Sequence, residues 1–116
     1  MAKIIITDDE PMNLRVTEFL MKKNGYDTVK ASSGAECLEL LADGADLILL
    51  DVLMPGMNGF DVLKKIRASG DDIPVVFMTA AEDKITLDLA EKQGTACIKK
   101  PFKPDEIVDV VKRILG

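Results

Sequence analysis

Five short apolar runs, separated by segments of helical periodicity, constrain this chain more than any other feature. Lys3-Ile4-Ile5-Ile6-Thr7, Leu47-Ile48-Leu49-Leu50 and Ile73-Pro74-Val75-Val76-Phe77-Met78 show almost no alternation of polar and apolar residues. A strand of that kind needs cover on both faces, as in a parallel sheet flanked by helices. Thr28-Val29-Lys30-Ala31 is weaker and belongs nearer an edge, and Thr95-Ala96-Cys97-Ile98 is the fifth candidate.

The intervening segments carry helix signals. From Pro11 through Asn24, apolar Met12, Val16, Phe19 and Leu20 recur near helical spacing, and Gly25 marks a stop. Ser33-Gly34-Ala35-Glu36 has the form of a capping box, with Leu38 and Leu41 on one face and Gly44 closing. Gly59 to Ser69 is a third helix, with Val62, Leu63 and Ile66 apolar, and Glu82 to Gln93 a fourth, stopped by Gly94. The fifth is the clearest. Pro104 starts it, Asp105 and Glu106 fill the first turn, Lys112 and Arg113 the last, so each charge sits at its favourable dipole end. Ile107, Val110, Val111, Ile114 and Leu115 form its apolar stripe.

Strands alternating with helices predict an α/β fold with one parallel sheet covered on both faces. With 116 residues the chain is expected to be one domain, residues 1–116. In such sheets ligands bind beyond the carboxyl ends of the strands, where strand order reverses. The residues at those ends therefore carry the functional question.

Composition removes several answers. The chain has no histidine, which excludes Ser/His and Cys/His catalysis and His-ligated zinc. Its two cysteines, Cys37 and Cys97, are too far apart for a CxxC motif and are expected to be packing residues in a reducing, cytoplasmic setting. The formal net charge of −5 makes direct nucleic-acid binding a poor fit. No signal peptide and no apolar run long enough for a bilayer are present, so no membrane role is expected.

Asp8 and Asp9 follow the first strand, Asp51 the third, Thr79 the fourth, and Lys100 with Pro101 the fifth. The fold would bring three carboxylates, a hydroxyl and an ammonium to one rim. Three adjacent carboxylates raise one another's pKa unless a cation intervenes. Oxygen ligands alone favour a hard cation, and Mg²⁺ fits best. A carboxylate can attack phosphorus to give an acyl phosphate, while a cation and a lysine neutralise the transferring oxygens. Taken singly, each residue also has a plain structural reading: Asp and Thr cap turns, and Asp9 could cap the first helix.

The sequence resembles the receiver domain of two-component response regulators over essentially its whole length. The resemblance rests on Asp8-Asp9-Glu10-Pro11, Asp51-Val52-Leu53-Met54-Pro55-Gly56-Met57-Asn58-Gly59, Thr79-Ala80-Ala81 and Lys100-Pro101-Phe102, in that order. It implies a flavodoxin-like (βα)5 three-layer sandwich with strand order 2-1-3-4-5. It also implies a phosphorelay role: Asp51 accepts a phosphoryl group from a phosphohistidine on a histidine kinase or histidine phosphotransfer protein. Asp9, Asp51 and the Leu53 carbonyl would hold Mg²⁺, with Asp8 acting on it largely through water; Lys100, Thr79 and Ala80 would contact the phosphate, and Thr79 would follow it on activation. The Lys100-Pro101 bond is expected to be cis, with Lys99 on the opposite side of the strand. The domain would assist its own phosphorylation and dephosphorylation rather than act as an enzyme on other substrates.

The chain departs from the family pattern at one point. Members usually carry an aromatic three residues before the lysine, which reports phosphorylation by turning inward; here that switch position is Cys97, in a run about one residue shorter than usual. Phe60 is expected to pack, while Met54 and Met57 fit either loop packing or a partner surface. Ile85, Leu87 and Leu89 fit either surface scatter or a contact patch of the fourth helix, fifth strand and fifth helix, used by the family for output or weak dimers. The chain ends after the fifth helix, so a separate effector or a longer parent chain would supply the output. Three rivals stand beside this reading. A small aspartyl-phosphate phosphatase wants DxD after its first strand, not Asp8-Asp9-Glu10. A phosphorylation-independent interaction module would not need all five site residues. A flavin protein would not place two carboxylates where a phosphate binds.

Overall fold

The structure, a computed structural model, describes residues 1–116. Ten elements alternate along the chain: β1 (Lys3–Thr7), α1 (Pro11–Lys23), β2 (Asp27–Ala31), α2 (Gly34–Leu41), β3 (Leu47–Asp51), α3 (Gly59–Ala68), β4 (Val75–Thr79), α4 (Lys84–Gln93), β5 (Ala96–Lys99) and α5 (Pro104–Leu115). All pairings are parallel and the sheet order is β2-β1-β3-β4-β5. The expected flavodoxin-like sandwich is therefore present, with β2 at one edge.

Side chains alternate across the sheet and divide the core in two. Ile5, Ile48, Leu50, Val75 and Phe77 face α2, α3 and α4, meeting Cys37, Val62, Ile66 and Ala90. Ile4, Ile6, Leu47, Leu49 and Val76 face α1 and α5, meeting Leu14, Met21, Ile107 and Val111. Every residue of β3 and β4 is buried. That explains the missing alternation: both faces of these strands are interior. The α5 stripe packs as expected, with Ile107 and Val111 fully buried and Val110, Ile114 and Leu115 beside them.

The structure differs from the sequence-based expectations at three helices. On α1 the buried residues are Leu14, Thr17 and Met21, whereas Met12, Val16 and Phe19 are exposed and Leu20 half-buried. Both sides of this helix carry apolar residues, and the core side includes a polar Thr17, so periodicity alone selects the wrong face. At α2, Ser33 Oγ accepts from the Glu36 N–H as a capping box requires, but Glu36 Oε1 accepts from the Ser32 N–H one residue early. Asn58 and Asp61 form the reciprocal box at α3 instead. Helix α4 starts two residues later than Glu82, behind the Asp83 cap, and ends before Gly94, which is not left-handed (φ −82°). A β-carbon at Gly94 would lie 2.6 Å from the Phe77 ring, so glycine is there for packing rather than for a turn.

Three strands also extend beyond the apolar runs that marked them. Asp51 and Thr79 are the last residues of β3 and β4, and Lys99 ends β5, while Ile73 and Pro74 precede β4. Hydrogen-bond registry with neighbouring strands, not hydrophobicity, sets these ends: Asp51 is opposite Met78, and Thr79 opposite Lys99.

Candidate functional site

The carboxyl ends of β1 and β3 lie side by side because the chain leaves β1 for β2 on one side and returns to β3 on the other. Asp8 continues β1, its N–H donating to the Ala31 carbonyl. Its Oδ1 accepts from the Glu10 N–H at 3.0 Å, so Asp8, rather than Asp9, organises the turn into α1. Asp9 caps nothing and lies nearer solvent, leaving its carboxylate free of protein partners. Carboxylate oxygens of Asp8, Asp9 and Asp51 all lie within 4.8 Å of one another.

Asp51 is held from behind. The Val52 N–H donates to the Met78 carbonyl, and the Gly59 N–H at the start of α3 donates to the Val52 carbonyl at 2.9 Å. The loop turns through Gly56 at φ +74°, a left-handed conformation suited to glycine. Met54 is buried and Met57 half-buried against Gly34 and α2, so both belong to loop packing. Phe60 meets Phe77 edge-to-face with centroids 5.2 Å apart. Leu53 offers its N–H to Asp51 Oδ1 at 3.4 Å while its side chain is exposed.

From the other side comes Lys100. Its N–H donates to the Thr79 carbonyl at 2.7 Å, and the Lys100-Pro101 peptide is cis. The lysine Nζ reaches Asp8 Oδ2 at 2.6 Å and Asp51 Oδ2 at 3.5 Å. Lys99 is exposed and takes no part. Thr79 is fully buried, its Oγ1 accepting from the Ala81 N–H at 3.0 Å, and Ala80 faces solvent at the mouth. Cys97 is half-buried on β5, next to Phe77 in the sheet.

Charge and burial work against each other at Asp51. Burial pushes its carboxyl up to about 6; Lys100 opposes this and the neighbouring Asp8 charge reinforces it. An acidic pocket of this kind is starved of positive charge. Mg²⁺–oxygen bonds are about 2.0–2.1 Å long, and an all-oxygen set this closely spaced fits a small hard cation. Neither histidine nor cysteine is at hand to favour a softer one.

Two features escaped the sequence reading. The outer face of α1 presents Met12, Val16 and Phe19 to solvent, and Val16 with Asn13 borders a cleft of about 390 Å³ against Ala80, Lys100, Pro101 and Phe102. The apolar spacing was legible, but which side of α1 faced the sheet was not. The close approach of Gly59 to the Asp51 carbonyl had no signal beyond the glycine itself.

A parallel sheet thus brings three carboxylates, a lysine and a buried hydroxyl together at its switch point. The comparisons with known proteins agree. Residues 4–112 match the family described as response regulator receiver domain. The chain is 34% identical over 112 residues to the DNA-binding response regulator MtrA of Mycolicibacterium smegmatis, covering 95% of this chain and 49% of that protein. It is 30% identical over 116 residues to the response regulator SaeR of Staphylococcus aureus, covering 99% and 51%. The chain thus spans about half the length of these curated relatives. Among solved structures it is similar to a receiver domain from Clostridium thermocellum, with TM-score 0.91, 25% identity and coverage of 99% and 94%. It is also similar to TrrA of Thermotoga maritima, solved in complex with Mg²⁺-BeF, with TM-score 0.88, 30% identity and coverage of 98% and 99%. The chain belongs to the response regulator receiver domain family, a class of phosphoryl-accepting signalling domains. No helix is long and apolar enough to cross a membrane.

Proposed function

We propose that this domain takes a phosphoryl group onto Asp51 from a phosphohistidine on a histidine kinase or histidine phosphotransfer protein, with Mg²⁺ bound by Asp8, Asp9, Asp51 and the Leu53 carbonyl. One observation carries the reading: a buried carboxylate, Asp51, has the Asp8 and Asp9 carboxylates within 4.8 Å and the Lys100 ammonium 3.5 Å away. When bound, the divalent cation supplies positive charge to the carboxylates and to the oxygens of the transferring group.

The protein's own groups divide the rest of the work. An oxygen of the ionised Asp51 carboxylate attacks phosphorus. The new P–O bond forms as the P–N bond to the donor imidazole breaks, and that nitrogen keeps the electron pair and takes up a proton. Lys100 moves onto a phosphoryl oxygen, and the Thr79 hydroxyl, now engaged by the Ala81 N–H, turns to donate to another. The Ala80 backbone lines the same mouth. Attack by water on phosphorus later releases inorganic phosphate and restores the carboxylate. The domain is a signalling acceptor that assists both steps, not an enzyme acting on other molecules.

Val16 borders that mouth, and with the exposed Met12 and Phe19 of the same helix it gives a protein donor an apolar surface to bury while its phosphohistidine reaches Asp51. Switching follows from the movement of Thr79, with Cys97 replacing the bulkier family residue beside α4. Exposed Ile85 and Leu89 on α4 offer a surface for an effector or a weak dimer through α4, β5 and α5. The rival reading is an interaction module indifferent to phosphorylation. Transfer from a labelled phosphohistidine protein separates them: an acyl phosphate that forms on wild type, is cleaved by hydroxylamine and is lost in Asp51→Asn supports the proposal. Partner binding unchanged by Asp51→Asn or by phosphodonor supports the rival.

A further inference from the structure

The chain has six methionines, and the fold exposes them unequally. Met21, Met54 and Met78 are buried, and Met1 and Met12 are exposed at the amino terminus and on α1. Met57 alone is half-exposed, and it lies in the loop between Asp51 and α3. On one side it crowds the start of α2: a β-carbon on Gly34 would lie 3.3 Å from both Met57 Cβ and Met57 Sδ, and 2.6 Å from a Val62 methyl. On the other side Met57 borders an open cleft of about 460 Å³ with Asp61, Lys64, Lys65 and Ala68 of α3. The sulfur is therefore a packing group that small solutes can reach. Its chain neighbours have no slack. Gly56 is held in a left-handed turn at φ +74°. Asn58 caps α3, its Oδ1 accepting from the Asp61 N–H at 2.9 Å and its own N–H donating to Asp61 Oδ2 at 3.2 Å. Gly59, next in the chain, packs on the Asp51 carbonyl with no room for a side chain.

We infer that Met57 is a site of reversible oxidation by peroxide-class oxidants, and that its sulfoxide disables the phosphoryl site by prising the loop after Asp51 off α2. The effect on phosphoryl uptake rests on the phospho-acceptor reading above. In the step itself a sulfur lone pair attacks one oxygen of hydrogen peroxide. The O–O bond breaks as the S–O bond forms, and the second oxygen leaves as water with both protons. Sulfur is oxidised by two electrons and the peroxide reduced by two. The product side chain is polar and carries a strong acceptor oxygen. At the corner where Gly34, Met57 and Val62 converge there is no space for that oxygen. Turning outward keeps it hydrated, but withdraws the side chain from α2. The loop then loses its apolar hold midway between Gly56 and the Asn58 cap, and the slack passes to Gly59 and the Asp51 carbonyl that it supports.

Hydrogen peroxide treatment of the whole chain tests this, on wild type and Met57→Leu. Peptide mass mapping locates the added oxygen, and acetyl phosphate with Mg²⁺ then measures phosphoryl uptake. Leucine is close to methionine in volume and has no sulfur to oxidise. The variant keeps Met1, Met12 and Cys97, and so carries the chain's other accessible sulfurs. In wild type, Met57 is expected to gain one oxygen at peroxide doses that leave Met21 and Met78 intact. Uptake should then slow about ten-fold or more, since a misplacement of about 1 Å can cost about a hundred-fold. The two methionine sulfoxide reductases, one for each sulfoxide epimer, should restore it, and treated Met57→Leu should keep its untreated rate. Met57 left unmodified while Met1 and Met12 are fully oxidised, uptake undiminished once Met57 is oxidised, or an equal loss in Met57→Leu would each overturn the inference. Thermal melts of the same samples separate this inference from the reading beneath it. If untreated wild type takes up no phosphoryl, that reading falls. A midpoint lowered by peroxide in wild type but not in Met57→Leu then still supports the loop's dependence on Met57, and a midpoint unmoved in both overturns it.

Discussion

Gly59 stands so close to Asp51 that a β-carbon on it would lie 2.6 Å from the Asp51 carbonyl oxygen and 2.9 Å from Val52 Cα. The first turn of α3 is thereby pressed directly against the end of β3. Both contacts are with backbone, which cannot swing aside as a side-chain tip can. Gly59→Ala is expected to cost about 1–3 kcal/mol, as over-packing does, and to slow phosphoryl uptake by displacing Asp51. Denaturant melts and intact mass together check both effects.

Burial raises the Asp51 carboxyl from 3.8 to about 6 in the metal-free protein. The folded state therefore holds this proton more tightly than the unfolded chain does. The contribution to stability is fully present below 3.8 and is lost as pH rises through about 6. The shift corresponds to about 3 kcal/mol. Asp51→Asn carries no such proton, so in chelator its stability relative to wild type should rise across that window and level off above it. Melts at a series of pH values read this directly.

Asp9 adds charge to the cluster and has no protein partner. Like charges about 4 Å apart repel by about 1 kcal/mol even in bulk water. Asp9→Ala is expected to stabilise the metal-free fold by about that much, on the order of 4 °C in Tm for a domain of this size, while abolishing Mg²⁺ binding. Thermal melts with chelator and with Mg²⁺ should show opposite orders for the two proteins.

Val16 is exposed on α1 beside the mouth of the site, Phe19 is exposed three residues further along the helix, and neither supports the core. Val16→Ser and Phe19→Ser are expected to leave stability within about 0.5 kcal/mol of wild type. Transfer from a protein phosphohistidine should fall, while uptake from acetyl phosphate stays unchanged. Comparing the two donors separates a docking role from a chemical one.

How much of this was legible in the sequence depended on the kind of interaction. The two-sided burial of β3 and β4 was plain from their unbroken apolar runs, and α5 from its stripe and its charged ends. Asp8, Asp9, Asp51, Thr79 and Lys100 could be gathered onto one rim once the strand order was assumed. The inward face of α1 could not be read, because Thr17 is buried while Phe19 is exposed. Gly94 does stop α4, as its place in the sequence suggested, but the Phe77 ring that requires a glycine there was not legible. The Asp8–Lys100 contact joins residues 92 positions apart, and which carboxylate the lysine prefers is a matter of distances that no motif encodes.

The central claim is that Asp51 accepts a phosphoryl group with the help of a divalent cation. Intact mass after incubation with acetyl phosphate, with Mg²⁺ or with chelator, for wild type and Asp51→Asn, tests it most directly. The account predicts the gain of one phosphoryl group in wild type with Mg²⁺, and none in chelator or in the variant. An equal gain in Asp51→Asn, or a gain in wild type that ignores Mg²⁺, would contradict it.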